Sequence, residues 1–230
     1  PGNDFTKETV KDNDVLIVRT VTYFDEKKLA GSNVKLICSA TIGFDHIDTH
    51  YCEENNIAWR TAPGCNASSV EQYVTTSIVR MAQKYNFELK DKTVGIVGVG
   101  NVGKKVARAC QVLGMRVLLN DPPRQEIENS DEFVDLATIQ READIITFHT
   151  PLTKTGEHPT YHLADDTFFN CLSKKPIIIN SSRGAVVSNE ALKSVLRKGE
   201  VMGAIIDTWE NEPNIDLQLL RLVDIATPHI

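Results

Sequence analysis

Three residues with reactive side chains each come shortly after an apolar run of strand length. Arg183 follows residues 177–180, Glu212 comes soon after residues 203–206, and His229 follows residues 223–226. Ligands of open α/β sheets bind outside the carboxyl ends of the strands, so we expect the three side chains to face one cleft. Taken singly, an arginine or a histidine in such a loop is usually an ordinary surface residue. Their shared placement after strands favours a joint chemical role.

Such a set can remove a proton and a hydride from a 2-hydroxy acid. A histidine takes up or returns a hydroxyl proton near neutral pH. A carboxylate beside it fixes the tautomer of the imidazole and favours its protonated form. An arginine binds a substrate carboxylate through two parallel hydrogen bonds and polarises the reacting oxygen. We assign the base to His229, its support to Glu212 and the carboxylate fork to Arg183.

A glycine-rich segment, Gly98-Val99-Gly100-Asn101-Val102-Gly103, follows an apolar run and begins a predicted helix. In this context a GxGxxG pattern is typical of a dinucleotide-binding turn. Gly98 permits the tight turn, Gly100 lets the backbone approach a pyrophosphate, and Gly103 lets the helix pack closely. The helix start at Asn101 and Val102 offers free N–H groups and the positive end of the helix dipole to phosphates.

An acidic residue in the right place completes this pattern. Asp121 stands 23 positions after Gly98, at the end of the next predicted strand. A carboxylate there can accept hydrogen bonds from both adenosine ribose hydroxyls and repels a 2′-phosphate, which favours NAD over NADP. Arg124 is the one contrary sign, because a nearby arginine can serve a phosphate. The alternative, a glycine-rich turn in an unrelated α/β domain, does not explain the acid.

Strand and helix patterns alternate along the chain, which predicts an α/β fold with parallel sheets. We predict strands at residues 14–18, 34–38, 57–59, 93–97, 116–119, 144–148, 177–180, 203–206 and 223–226, and helices at residues 25–30, 45–55, 69–85, 102–113 and 189–197. The last six strands, with their crossover helices, favour a doubly wound Rossmann sheet. We therefore expect a smaller substrate domain at residues 1–68 and an NAD-binding domain, with its linking helix, at residues 69–230.

Composition narrows the class of protein. The chain carries 31 acidic and 25 basic residues, a net charge of -6, which argues against a nucleic-acid partner. Apolar runs fall short of the ~20 residues of a membrane span, and no secretory signal is visible. The five cysteines lack disulfide or metal-ligand spacing, so we predict no metal site and a cytoplasmic setting. Because the chain does not begin with Met, we expect it to be a fragment.

The chain resembles the D-2-hydroxyacid dehydrogenases along nearly its whole length. The matching pieces are Ala62-Pro63-Gly64-Cys65-Asn66-Ala67, the glycine segment, Arg183-Gly184-Ala185, residues 207–213 and Thr227-Pro228-His229. The resemblance implies a flavodoxin-like substrate domain beside the Rossmann domain, and a catalytic set of Arg183, Glu212 and His229. It also implies cofactor contacts at Thr150 and Asp207, and a homodimer that pairs through the nucleotide domain. The family's first strand and helix and a C-terminal dimerisation domain are expected outside this chain.

Within the family, the chain is most similar to members that oxidise 4-phospho-D-erythronate in pyridoxal phosphate biosynthesis. The segments that carry this likeness are Val18-Arg19-Thr20-Val21-Thr22, residues 40–46, residues 121–124 and residues 147–152. The likeness implies substrate contacts at Thr20 and Thr41. Arg19 is a hypothetical contact for the substrate phosphate.

Two alternatives stay open at this point. The substrate could be another 2-hydroxyacid, such as 3-phosphoglycerate or glycerate, because substrate choice within the family does not follow from physics alone. The chain could also be an NADH-sensing binding module, since relatives of that kind can keep Arg183, Glu212 and His229.

Overall fold

The computed structural model describes residues 5–19 and 22–230. The chain forms two compact units, Pro1–Asn66 and Ala67–Ile230. None of the helices in the described part of the chain has the length and apolar composition needed to cross a bilayer.

The first unit is a small parallel α/β sheet. Its described elements are, in order, α1 (Lys7–Lys11), β1 (Val15–Val18), α2 (Glu26–Leu29), β2 (Leu36–Ser39), α3 (Thr49–Glu54) and β3 (Ala58–Arg60). The strands pair in chain order, β1-β2-β3, and both pairings are parallel. Aspartates begin two of the helices: Asp25 caps α2 and Asp48 caps α3 through their side chains. Leu16, Val18 and Ile37 bury the inner face of the sheet in one core.

The second unit is larger. Its described elements are α4 (Ala67–Tyr85), β4 (Thr93–Val97), α5 (Asn101–Val112), β5 (Arg116–Asn120), α6 (Pro122–Glu128), α7 (Leu136–Glu142), β6 (Ile145–Phe148), α8 (Asp166–Asn170), β7 (Ile177–Asn180), α9 (Asn189–Lys198), β8 (Gly203–Ile206), α10 (Leu217–Leu220) and β9 (Ile225–Ala226), with 3-10 turns at Leu89–Asp91 and Gly184–Val186.

The second sheet confirms the predicted doubly wound fold. Its strand order is β5-β4-β6-β7-β8-β9, and every pairing is parallel. A single parallel bridge from Leu119 to Phe133 extends the sheet beyond β5. If this bridge is counted as a third strand that is reduced to a single residue pair, the strand order on this side of β4 is that of a Rossmann sheet. The chain leaves β4 toward β5 on one side and returns as β6 on the other, so the switch point lies between β4 and β6.

Alternate side chains of the central strands enter two separate cores. Ile145, Ile177 and Ile205 pack against α4 and α5 on one face, through Val74, Ile78 and Val106. Ile146, Ile178 and Ile206 pack on the other face, against α7, α8 and α9. Successive side chains of a strand point to opposite faces of the sheet, and both faces are buried here. Each strand therefore appears in the sequence as a continuous apolar run. Because both faces of the sheet are covered, polar groups are presented at its carboxyl edge.

Candidate active site

The three glycines of the turn after β4 have three different surroundings. Gly98 has a φ of 90°, and a Cβ on it would lie 2.7 Å from the backbone carbonyl of His149. A Cβ on Gly103 would lie 2.1 Å from the carbonyl oxygen of Gly98. A Cβ on Gly100 would meet nothing within 4 Å. Gly98 and Gly103 are therefore required by the fold, whereas Gly100 keeps a space open in front of the helix.

That space lies at a helix start whose N–H groups are available. Helix α5 begins at Asn101, and Gly100 occupies its N-cap position with no side-chain capping bond. The first N–H groups of a helix lack partners inside the helix and carry partial positive charge. An anionic pyrophosphate can therefore approach the backbone here without displacing a side chain.

Asp121 follows β5 and is held by two backbone groups. Its Oδ2 accepts a hydrogen bond from the N–H of Val99 at 2.8 Å, and its Oδ1 accepts one from the N–H of Arg124 at 3.2 Å. A carboxylate has about four acceptor positions, so Asp121 can still accept hydrogen bonds from ribose hydroxyls. Arg124 is already engaged: its guanidinium donates to Glu128 at 2.7 and 2.8 Å and to the Val99 carbonyl at 2.7 Å. Its charge is paired with a carboxylate, which removes the main argument for a 2′-phosphate.

Two residues after β6 stand opposite the glycine turn at the switch point. The Oγ1 of Thr150 is buried and has no hydrogen-bond partner within the described residues. Burial lowers the pKa of the neighbouring His149 to about 3, so this imidazole is neutral near neutral pH. Its Nε2 lies 3.0 Å from the hydroxyl of Thr147. A buried hydroxyl without a partner is costly unless a ligand or water satisfies it.

Asp207 lies directly after β8 and is 4% exposed. Its Oδ1 accepts hydrogen bonds from the hydroxyl of Thr227 at 2.6 Å and from the N–H of Ile230 at 3.1 Å. Because Thr227 donates its one hydroxyl proton to Asp207, it accepts from the hydroxyl of Tyr73, 2.9 Å away. Burial, as the largest cause, raises the pKa of Tyr73, which keeps it a donor. The ends of β8 and β9 and helix α4 thus fix this carboxylate.

His229 and Glu212 form the pair that their sequence positions predict. Nδ1 of His229 lies 2.8 Å from Oε2 of Glu212, and the backbone N–H of His229 donates to the carbonyl of Asp207 at 2.9 Å. The other oxygen of Glu212 accepts from the N–H of Trp209 at 2.7 Å. His229 has a left-handed backbone, with a φ of 58°. Glu212 also borders an apolar cavity of about 390 Å³, which is lined by Trp209, Pro213, Ile215, Leu220, Ala226, Thr227 and Pro228.

Arg183 lies in the loop after β7, beside the loop that carries Glu212. The side-chain amide of Asn180 donates to the carbonyls of Arg183 at 3.0 Å and of Gly184 at 3.3 Å. A Cβ on Gly184 would lie 2.0 Å from the backbone carbon of Trp209, so glycine allows the two loops to touch. One guanidinium nitrogen of Arg183 donates to the carbonyl of Ser182 at 2.8 Å. The predicted catalytic residues therefore come from adjacent loops at one edge of the sheet.

A second histidine–carboxylate pair joins the segment between β6 and α8 to the loop after β8, and it was not predicted from the sequence. Nε2 of His162 contacts Oε1 of Glu210, and the N–H of His162 donates to the carbonyl of Ala185 at 2.7 Å. The ring of His162 also stacks on Tyr161, with centroids 4.1 Å apart. The partners are 48 positions apart, so no local spacing could have indicated the contact.

A group of ionisable side chains also occurs away from these loops. Glu126, Glu157 and His158 bring their ligand atoms within 4.8 Å of one another, and the two glutamates are exposed. Exposed groups of this kind commonly occur without a metal ion, and Glu126 with His158 forms an ordinary surface pair at 2.7 Å.

The substrate contacts predicted in the first unit fall at the carboxyl ends of its strands. Arg19 follows β1 and is exposed, and Thr41 follows β2 and is half-buried. The hydroxyl of Thr41 lies 2.7 Å from that of Ser39 and donates to the carbonyl of Gly43 at 3.2 Å. Thr20 lies outside the described residues.

Comparisons with known proteins find a matching family and similar sequences. The family described as D-isomer specific 2-hydroxyacid dehydrogenase, NAD binding domain, matches residues 63–230. The chain is 54% identical, over all of its 230 residues, to erythronate-4-phosphate dehydrogenase of Bacteroides fragilis and spans 66% of that protein. It is 46% identical to the Proteus mirabilis protein of the same name and spans 61% of it. The chain therefore spans less than two thirds of the length of these relatives.

Solved structures with a similar fold include two dehydrogenases. D-lactate dehydrogenase from Aquifex aeolicus, complexed with NAD and lactic acid, superposes with a TM-score of 0.79 at 26% identity, over 97% of this chain and 78% of that one. NAD-dependent formate dehydrogenase from Staphylococcus aureus, in complex with NAD, gives a TM-score of 0.81 at 25% identity, over 97% and 74% of the two chains.

Proposed function

The chain belongs to the D-isomer-specific 2-hydroxyacid dehydrogenase family, and from this premise we propose that it forms part of an enzyme that oxidises 4-phospho-D-erythronate with NAD. The product is the 2-oxo acid, 3-hydroxy-2-oxo-4-phosphobutanoate, an intermediate of pyridoxal phosphate biosynthesis. The substrate is supported by the shared name of relatives that are 45–54% identical to this chain. We further propose a cytoplasmic homodimer, as the family resemblance implies.

The contact between His229 and Glu212 carries the proposal. A carboxylate can only accept a hydrogen bond, so in the neutral form of His229 the proton is on Nδ1 and the free lone pair is on Nε2. Nε2 can then take the proton of the substrate's C2 hydroxyl, and Glu212 stabilises the imidazolium that forms. Arg183 binds the substrate carboxylate and polarises the oxygen at C2. When bound, NAD would accept the hydrogen at C2 as a hydride. Loss of this hydride and of the hydroxyl proton leaves a carbonyl group at C2.

The residues at the switch point fit this cofactor. We assign the pyrophosphate to the backbone around Gly98, Gly100 and Gly103 and the N–H groups of Asn101 and Val102, because the open side of Gly100 faces that helix start.

Three further side chains complete the proposed cofactor site. Asp121 takes the adenosine ribose, Thr150 offers its unpartnered hydroxyl, and Asp207 contacts the nicotinamide. In the first unit, Thr20 and Thr41 remain proposed substrate contacts, and Arg19 a proposed contact for the phosphate.

Two other functions remain as outcomes of the test. Another acid, such as 3-phosphoglycerate or D-glycerate, would use the same base and the same cofactor. An NADH-sensing module would bind the cofactor without turning over any hydroxy acid.

The deciding measurement is NADH formation by the complete gene product with 4-phospho-D-erythronate, 3-phosphoglycerate and D-glycerate. His229→Ala removes the base and should lower kcat by about 10²- to 10⁴-fold. His50→Ala is the matched control, because His50 is another exposed histidine near a glutamate, Glu54 at 3.4 Å, and has no assigned role. It should leave kcat unchanged.

Each result leads to a different conclusion. Preference for phosphoerythronate that depends on His229 supports the proposal. Preference for another acid retains the mechanism and rejects the substrate. NADH binding without turnover of any of the three acids favours the sensing module.

A further inference from the structure

The contact between His162 and Glu210 joins two segments of the second unit. His162 lies between β6 and α8, and Glu210 lies in the loop after β8. A carboxylate only accepts a hydrogen bond, so Nε2 of His162 donates to Oε1 of Glu210. The side chain of Glu210 is 15% exposed and that of His162 is 33% exposed. Water therefore competes less for this contact than for an ion pair on the open surface.

The backbone around His162 is bonded to the loop that carries Arg183. The N–H of His162 donates to the carbonyl of Ala185 at 2.7 Å, and the N–H of Ala164 donates to the carbonyl of Val186 at 3.1 Å. Ala185 comes two positions after Arg183 in the chain. These backbone bonds hold the segment against the Arg183 loop whatever the side chain at position 162.

Glu210 adjoins the backbone group that orients Glu212. The N–H of Trp209, the preceding residue, donates to Oε1 of Glu212 at 2.7 Å, and Oε2 of Glu212 lies 2.8 Å from Nδ1 of His229. A Cβ on Gly184 would lie 2.4 Å from the backbone nitrogen of Glu210, so the loop after β7 touches the loop after β8 here. A movement of the backbone at Glu210 therefore displaces the N–H that holds Glu212.

The geometry points to His162 and Glu210 as positioning residues that set the spacing between Arg183 and the pair of Glu212 and His229. The backbone of His162 is tied to the first of these loops, and its side chain is tied to the second. This inference rests on the proposed function, because it supposes the catalytic roles given to Arg183, Glu212 and His229. It does not depend on which 2-hydroxy acid is the substrate, since each of them presents the same carboxylate and hydroxyl.

Loss of the His162 side chain should lower kcat more than it changes KM. The backbone bond to Ala185 remains, so Arg183 stays in place to bind the substrate carboxylate. The loop that carries Glu212 loses its tie, and a displacement of about 1 Å at the reacting groups can lower the rate by about 10²-fold. The glycine turn assigned to the cofactor lies elsewhere in the unit, so the Kd of NADH should not change.

The test compares two histidine–glutamate pairs that begin in the same segment. We would measure kcat and KM of the complete gene product and divide the rate by the number of sites found by NADH titration, so that unfolded molecules are not counted. His162→Ala should lower kcat per site by at least about tenfold. His158→Ala is the matched control and should leave kcat unchanged. Its Nε2 lies 2.7 Å from Oε1 of Glu126, on α6, and its side chain is 32% exposed.

Two further variants separate the hydrogen bond from simple packing. His162→Gln keeps a side-chain amide that can donate to Glu210, so its kcat should stay within about threefold of the wild-type value. Glu210→Ala removes the same contact from the other side and should match His162→Ala. The double variant His162→Ala/Glu210→Ala should be no slower than either single variant, because the contact can be lost only once.

Each outcome decides the inference. A loss of kcat per site smaller than about tenfold in His162→Ala, an equal loss in His158→Ala, or losses that multiply in the double variant would overturn the positioning role and leave the proposed function standing. If His162→Ala has no NADH-binding sites, Glu210→Ala decides by the same criterion. If the wild type prefers another 2-hydroxy acid, that acid is the substrate for these measurements. Turnover of no 2-hydroxy acid by the wild type rejects the proposed function, and the positioning role with it.

Discussion

At the scale of single residues, two threonines near the buried carboxylate of Asp207 should respond differently to the same substitution. Thr227 donates its hydroxyl proton to Asp207 at 2.6 Å, whereas the hydroxyl of Thr208 is buried without a partner within the described residues. Valine replaces a hydroxyl by a methyl group of similar size. Thr227→Val should lower the free energy of unfolding by about 1.5–3 kcal/mol, because it deprives a charged group of a hydrogen bond.

Thr208→Val is the matched control for that prediction. It removes a buried hydroxyl that lacks a partner, so the free energy of unfolding should stay the same or rise. Urea denaturation of the cofactor-free protein measures both values. Equal losses in the two variants would show that a water molecule satisfies the Thr208 hydroxyl, and would contradict the distinction drawn here.

The sequence identified the reactive residue types at this edge and one of their pairings, but not the other partners. Glu212 and His229 could be paired from sequence because each comes shortly after a strand, and parallel strands bring their carboxyl ends together. Thr208 and Thr227 also follow strands, and nothing local shows which hydroxyl donates. The same holds for His162 and Glu210, whose contact depends on two loops meeting in space. Hydrogen-bond direction is a property of the folded structure.

At the scale of elements, two substitutions in the turn between β4 and α5 should have different effects, one on cofactor binding and the other on stability. Gly100→Ala places its Cβ in open space, so the protein should keep its stability while the methyl group obstructs the phosphates. Gly103→Ala places its Cβ 2.1 Å from the carbonyl oxygen of Gly98, so helix α5 must shift and stability should fall by about 1–3 kcal/mol.

The two substitutions are measured side by side, by NADH titration and by urea denaturation. We expect Gly100→Ala to weaken NADH binding at least tenfold with an unchanged midpoint, and Gly103→Ala to lower the midpoint. Tight NADH binding by Gly100→Ala would mean that no phosphate approaches this backbone, and would remove the structural basis of the proposed cofactor site.

Strands with a continuous apolar pattern were predicted closely, whereas several short helices were missed. The strands Thr93–Val97, Ile177–Asn180 and Gly203–Ile206 have the predicted bounds, because their residues are buried on both faces. The helices α1, α6, α7, α8 and α10 were not predicted. They have four to seven residues and bury few apolar side chains. Each of the five begins at a capping aspartate or threonine, a signal that also occurs in turns.

At the scale of the whole molecule, each buried core belongs to one unit. The cluster around Phe24 and Ile37 lies in the first unit, and the two clusters on either face of the larger sheet lie in the second. The residues assigned to the cofactor, from Gly98 to Asp207, also lie in the second unit. We therefore expect folding of that unit and binding of the cofactor to need no side chain from the first.

We expect residues 67–230, expressed alone, to unfold cooperatively and to bind NADH with the same Kd as residues 1–230. A chain of this size buries enough apolar surface for a stable domain. The first unit is small, and its edge strand β1 exposes Val15 by 51% and Ile17 by 74%, so residues 1–66 alone should fold marginally. Thermal unfolding and isothermal titration of the three polypeptides, residues 67–230, 1–230 and 1–66, measure these properties. If residues 67–230 fold but bind NADH more than about tenfold more weakly than the whole chain, the first unit contributes directly to the cofactor site, and the division of roles between the units is wrong.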